Sequence, residues 1–125
     1  MTRAKGTLAS LFASQAEIEA DDEREQARGR GCAPVAELAA RRRAHVAGVL
    51  RSVTYQPRGV DPALTAELYD GSGSVDLVWL GRREIAGIEP GRRLVVDGMV
   101  CSPEPGRPRL VMYNPAYDLL PREGE

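Results

Sequence analysis

The clearest periodicity in the chain lies between residues 63 and 80, ALTAELYDGSGSVDLVWL. Leu64-Thr-Ala-Glu-Leu-Tyr69 alternates apolar and polar positions, and Asp70-Gly-Ser-Gly73 interrupts it. In the run that follows, Val75, Leu77 and Trp79 share one face, and Asp76, Val78 and Leu80 share the other. Period-2 patterning on both sides of a Gly/Asp/Ser turn predicts a β-hairpin. Parity sends Trp79 inward with Val75 and Leu77 and leaves Tyr69, opposite in parity to Leu68, facing out.

The rest of the chain is arranged around that hairpin. Leu8, Leu11 and Phe12 are spaced as one apolar helical face. Ser14-Gln-Ala-Glu17 matches the S-x-x-E capping box, so a helix is expected over 15–27, docked through Ile18 and stopped by Gly29-Arg-Gly31. Its acids come early and Arg24 and Arg28 late, which suits the helix dipole. Residues 34–38 read as a single turn or an extended lead-in. From Arg41 to Tyr55 the pattern predicts a long first strand, with Gly48 marking a bulge or bend. Residues 56–62 carry Pro57, Gly59 and Pro62 and read as a loop. Beyond the hairpin, residues 81–88 predict a short helix, residues 92–101 a fourth strand broken at Gly98, and residues 109–113 a fifth. A proline-rich loop, 102–108, joins the last two. Tyr117, Leu119 and Leu120 are placed to pack back before a charged tail.

Five short strands with one helix between the third and fourth is the order of an OB-fold, a partly open Greek-key barrel. The expected architecture is therefore mainly β, with an N-terminal helical extension over 1–33, the OB-fold domain over 34–120 and a tail over 121–125. Length and composition fit one soluble domain: 125 residues, 42% hydrophobic, with no apolar run of about 18 residues and no signal-peptide pattern. These features point to a cytoplasmic protein. Net charge is −1, so no overall field draws in a polyanion, but sixteen of the seventeen basic residues are arginine. Residues 41–114 hold eleven arginines against eight acids, a local surplus.

Three stretches carry a family resemblance: Val46-Ala-Gly48, Leu68-Tyr-Asp70-Gly-Ser-Gly73-Ser-Val75 and Glu89-Pro-Gly-Arg-Arg-Leu-Val-Val-Asp-Gly98. Over about residues 34–120 the chain resembles the nucleic-acid-binding OB-fold family. That family includes the anticodon-binding domain of class II aminoacyl-tRNA synthetases and the wedge domain of branched-DNA helicases. Small stand-alone actinobacterial OB-fold proteins are the most similar. The resemblance implies a binding face on strands two and three, flanked by the loops after strands one and four. Aligned through Leu68 and Asp70, the base-contacting positions of the anticodon-binding relatives fall on Thr65, Asp76 and Val78, none of which matches the family's residues. Glu67 and Asp76 put negative charge on that face.

Stacking platforms for single strands combine aromatics with cations, and arginine both pairs with phosphate and stacks on bases. The candidate binding set is Arg51, Tyr55, Arg58, Tyr69, Arg107 and Arg109. Arg82, Arg83, Arg92 and Arg93 form a second tier, and Arg41, Arg42 and Arg43 read as an exposed strand entrance. The expected function is non-enzymatic, weakly sequence-specific binding of single-stranded or structured DNA or RNA. The alternative is a protein-interaction module that uses the barrel face or the acidic N-terminal helix. Catalytic motifs are missing: there is no Walker A, H-E-x-x-H, C-x-x-C or Ser/His/Asp set. Gly71-Ser-Gly73 joins two strands and opens no helix, so it is a turn and not a phosphate loop. Cys32 and Cys101 read as separate thiols, His45 as a surface or structural residue, and no metal or cofactor is expected.

Overall fold

The computed structural model describes residues 8–58 and 61–122, with side chains described over 13–56 and 62–122. Helix α1 (Leu8–Gly29) is followed by a 3-10 turn (Val35–Glu37). Six strands follow: β1 (Arg43–Arg58), β2 (Asp61–Tyr69), β3 (Ser74–Leu80), β4 (Arg93–Cys101), β5 (Val111–Tyr113) and β6 (Ala116–Leu119). The sheet order is β1-β2-β3-β5-β4-β6, and β1 also pairs with β4. Five strands therefore close into a ring. All neighbours are antiparallel except β3 and β5, which run parallel, and β6 adds to β4 outside the ring.

β1 can serve two partners because it is long and changes allegiance midway. Residues 43–49 pair with β4, and residues 49–58 pair with β2. Two features permit the switch. At Gly48 an added Cβ would lie 2.3 Å from the Tyr69 carbonyl oxygen, so only glycine lets β2 approach there. Three residues later the register slips between Leu50 and Ser52, which makes Arg51 the bulged residue. The bend expected at Gly48 is thus divided between a close approach at Gly48 and the bulge at Arg51.

The hairpin of residues 63–80 forms in the expected register, with Leu68 opposite Val75, Ala66 opposite Leu77 and Leu64 opposite Trp79. These six side chains line the ring's interior with Val46, Leu50, Leu94, Val96, Val100 and Met112, all buried. Trp79 donates its indole N–H to the Pro115 carbonyl at 3.2 Å and meets Tyr117 edge-on, so its polar end is satisfied. The Asp70 turn is a structural hub. Its buried carboxylate accepts from the Ser72 and Gly73 N–H groups, the Ser72 hydroxyl and the Val35 N–H, the last at 2.8 Å. The turn thereby fastens the 3-10 segment to the hairpin.

Several expectations change. No helix stands between β3 and β4. Residues 81–92 form turns with two isolated backbone bonds, Ile88 N–H to the Ile85 carbonyl and Arg92 N–H to the Glu89 carbonyl, because Gly81, Gly87 and Gly91 all adopt positive φ and stop helical propagation. Ile85 and Ile88 still reach the core. The expected N-terminal helix is present before β1 but begins at Leu8, well upstream of Ser14. No glycine or proline lies between Leu8 and Ser14, so Ser14 sits inside the helix, where a capping box has no free N–H groups to cap. The expected apolar face at Leu8, Leu11 and Phe12 lies outside the described side chains. Ile18 does not dock the helix: it is 61% exposed. The contact is made by Glu23 and Ala27, one turn apart, with Ala27 packing beside Cys32, Ala47 and Val95. Residues 56–58 and 61–62 are paired strand, with Pro57 opposite Pro62, so β1 and β2 form a longer hairpin than the prolines suggested. Proline lacks only the donor; the Pro62 carbonyl accepts the Gly81 N–H at 2.7 Å. No helix among the described residues is long and apolar enough to cross a membrane.

Candidate functional site

The inward set of the hairpin fixes the outward set. Thr65, Glu67 and Tyr69 of β2 and Ser74, Asp76 and Val78 of β3 belong to the outer face, and Glu67 lies directly opposite Asp76. Like charges opposed across two strands repel. Arginines of the β4–β5 loop answer that repulsion. Arg109 donates through Nε to Asp76 at 3.0 Å and stands 3.6 Å from Glu67. Arg107 donates to the other Asp76 oxygen at 3.3 Å. The Ser74 hydroxyl donates to Glu67 at 2.7 Å. Asp76 is only 4% exposed, while the side chains of both arginines keep over a third of their surface in water. The hydrogen bond that Arg109 donates to Asp76, with lesser help from the charges of Asp76 and Glu67, lifts the Arg109 pKa above its ordinary value against the effect of burial. Arg109 is therefore a permanent cation.

Arg51 leaves the β1 bulge and lays its guanidinium over the Tyr69 ring, 3.4 Å from the centroid. This is a cation–π pair with the outer side of the guanidinium turned to solvent, since Arg51 is exposed. Tyr55, near the far end of β1, is exposed and lies 5.3 Å from the guanidinium of Arg83. Arg83 comes from the glycine-rich turns that replace the expected helix.

The predicted residues thus separate into three places. Arg51, Tyr69, Arg107 and Arg109 share the outer face of β1, β2 and β3. Tyr55 belongs to the other parity and sits at the rim with Arg83. The Arg58 backbone pairs with Asp61, and its side chain lies outside the described residues. On the shared face three guanidinium groups meet two carboxylates, a surplus of one positive charge. Thr65, Asp76 and Val78, the positions marked by the resemblance, are all buried. Val78 packs with Ala63 and Val111 in a small apolar patch, beside partly buried Tyr113 and Cys101. The Thr65 hydroxyl is buried there without a partner. The centre of the face is consequently small and dry, and its accessible chemistry lies in the arginines around it.

The partner of Tyr55 is Arg83, a residue of the second tier, which no local sequence signal ties to it. The pairing of Arg107 and Arg109 with Asp76 had a visible signal, an aspartate and a glutamate at outward positions with no cation on their own strands. Away from this face, Asp97 accepts from Arg43 at 2.6 Å and lies 3.2 Å from His45 Nδ1. The His45 hydrogen bond, then that of Arg43, pulls the Asp97 carboxyl below its usual value. Among the described residues no group of three His, Cys, Asp or Glu side chains is placed to hold a metal ion. Both cysteines are free. No protein-family model matches the chain, and no curated protein matches it.

Proposed function

We propose that the chain is an OB-fold, a five-stranded Greek-key barrel, that binds single-stranded or structured nucleic acid without catalysis. The strand order supports this reading: a ring ordered β1-β2-β3-β5-β4, closed by β1 with β4 and holding one parallel pair, follows OB connectivity. The observation that carries the binding proposal is the Arg51–Tyr69 pair. An arginine held over a tyrosine ring at the protein surface offers a cation on which a base can stack and beside which a phosphate can pair. Arg107 and Arg109 contribute positive potential while remaining tethered to Asp76. Binding is accordingly weak, salt-dependent and largely indifferent to sequence.

Fluorescence anisotropy with labelled oligo-dT and oligo-rU at about 50 mM salt tests the proposal. Saturable binding is expected that weakens as salt rises and falls at least about tenfold in the Arg51→Ala, Tyr69→Ala double variant, since stacking is worth about 1–3 kcal/mol per base. No binding at that salt, or binding indifferent to the double variant, overturns it.

A second reading has its own observation. Residues 13–19 of α1 are exposed on every side, and Glu17, Glu19, Asp21, Asp22 and Glu25 make that arm acidic. Helical turns without tertiary packing contribute little stability of their own, and this arm suits a basic protein partner. Charge reversal at Glu17, Glu19 and Asp22 would then abolish partner binding and leave oligonucleotide binding intact.

A further inference from the structure

A second basic site lies away from the outer face. Its foundation is the turn that leads into β4. The Gly91 N–H is bonded to the Leu50 carbonyl at 2.7 Å, and the Leu50 N–H returns to the Arg92 carbonyl at 2.9 Å. The C-terminal segment crosses back over the same strand, the Leu120 N–H donating to the Arg93 carbonyl at 2.9 Å. These backbone bonds bring Arg92, Arg93 and Arg122 to one open cavity of about 360 Å³, with Pro90 and Leu120 among its walls. Among the described residues Glu89 is the only carboxylate in the lining, and it pairs with Arg122. Arg93 pairs with the buried Glu23 of α1, from outside the lining. Arg92 has no ion-pair partner among the described residues.

With Glu23 counted against Arg93, three guanidinium groups meet two carboxylates, a surplus of one positive charge that falls on Arg92. The Nε–H groups of Arg92 and Arg93 are, in addition, buried without an acceptor. Buried donors of that kind are rare in folded proteins, and here both belong to side chains lining one cavity. Arginine forks match the oxygens of phosphate bidentately. The volume is larger than a lone phosphate needs and falls in the range of small-molecule sites.

We propose that this cavity binds a phosphate monoester, whose three terminal oxygens can meet more than one arginine fork at once. Arg92 would be the main contact, Arg122 the second, and Arg93 would be held in place by Glu23. The organic part would lie against Pro90 and Leu120. Two sources present this chemistry, a free nucleoside monophosphate and the phosphorylated 5′ end of a nucleic acid strand. A phosphodiester within a strand has only two terminal oxygens and suits the cavity less well. The proposal does not rest on the outer-face reading.

The test titrates the full chain calorimetrically with adenosine 5′-monophosphate and with its 3′,5′-cyclic diester. Saturable monophosphate binding is expected, at least about tenfold tighter than that of the diester, and weakened at least about tenfold in Arg92→Gln and in Arg122→Gln. Urea melts confirm that the variants fold, and Arg28→Gln, at an exposed arginine of α1 outside the lining, serves as the control expected to bind like the parent. A parallel anisotropy arm compares 5′-phosphorylated with 5′-hydroxyl oligo-dT. A gain on phosphorylation that disappears in Arg92→Gln assigns the site to strand ends; monophosphate binding without such a gain assigns it to a small molecule. The proposal fails if the monophosphate does not saturate at millimolar concentration with no phosphorylation gain, or if Arg92→Gln binds within twofold of the parent.

Discussion

Replacing Asp76 with asparagine probes the fold and the proposed binding face together. The carboxylate is buried at 4% exposure and holds Arg109 at 3.0 Å and Arg107 at 3.3 Å. Removing one member of a fully buried ion pair costs about 3–5 kcal/mol, largely because the remaining charge is stranded. Here the survivors are arginines with 36% and 37% of their side-chain surface in water, so they can rehydrate. Arg109 also keeps Glu67 at 3.6 Å. Asparagine retains one acceptor oxygen as well. These offsets reduce the expected loss to about 2 kcal/mol. For a domain of this size that corresponds to a fall of roughly 6–12 °C in melting temperature. The same change releases up to two phosphate-pairing groups on the outer face. If that face binds single strands, affinity at low salt rises, and the slope of log K against log salt steepens by about 0.7–1.4, at about 0.7 per added contact. Melting followed by circular dichroism and anisotropy between about 50 and 200 mM salt supply both readouts. An unchanged melting temperature would refute the buried-pair energetics. A destabilised variant with no gain in affinity or slope would refute the idea that Asp76 restrains two binding arginines.

Other substitutions test the frame that holds the site. Asp70→Ala leaves the Val35, Ser72 and Gly73 N–H groups without their acceptor and should cost about 3–4 kcal/mol in urea unfolding, while a loss below about 1 kcal/mol would remove the turn from its role as hub. Gly48→Ala drives a methyl group to within 2.3 Å of the Tyr69 carbonyl; the expected cost is about 2–3 kcal/mol, and a neutral outcome would show that β1 and β2 can separate there freely. Because Asp97 has a lowered carboxyl pKa in the folded state, its stabilising contribution is present above the unfolded value of about 4 and is lost as pH falls through the lower folded value. Asp97→Asn should therefore flatten the acid limb of the stability profile, and an unaltered limb would count against the interaction. Burial raises the Cys32 thiol pKa, with Arg30 opposing, so alkylation at pH 8 should be slow at Cys32 and accelerate with rising pH, whereas faster labelling of Cys32 than of Cys101 would contradict its burial.

Local pattern was enough for the hairpin of residues 63–80, the inward set of Val75, Leu77 and Trp79, the Gly29 stop and the mainly β character. Period-2 alternation and turn chemistry are properties of neighbouring residues, and the chain displays both openly. It also displayed the arginine surplus and the two acids on the outer face. It could not display which arginine meets which acid. Asp76 and Arg109 are far apart in sequence and become neighbours only because β5 runs parallel to β3. Arg51 reaches Tyr69 only through a one-residue bulge that no composition signal marks. The missing helix at 81–88 has a similar origin: three glycines in positive-φ conformations serve loop closure around Ile85 and Ile88, and tertiary burial of those two residues outweighed a marginal helical pattern. The sequence by itself determined which faces are apolar and where the turns fall, because those depend on spacing along the chain. Only the tertiary structure decided that two arginines of the outer face are tethered by Asp76 while Arg92 lines a separate cavity, because charge pairing depends on distances that closure of the ring creates.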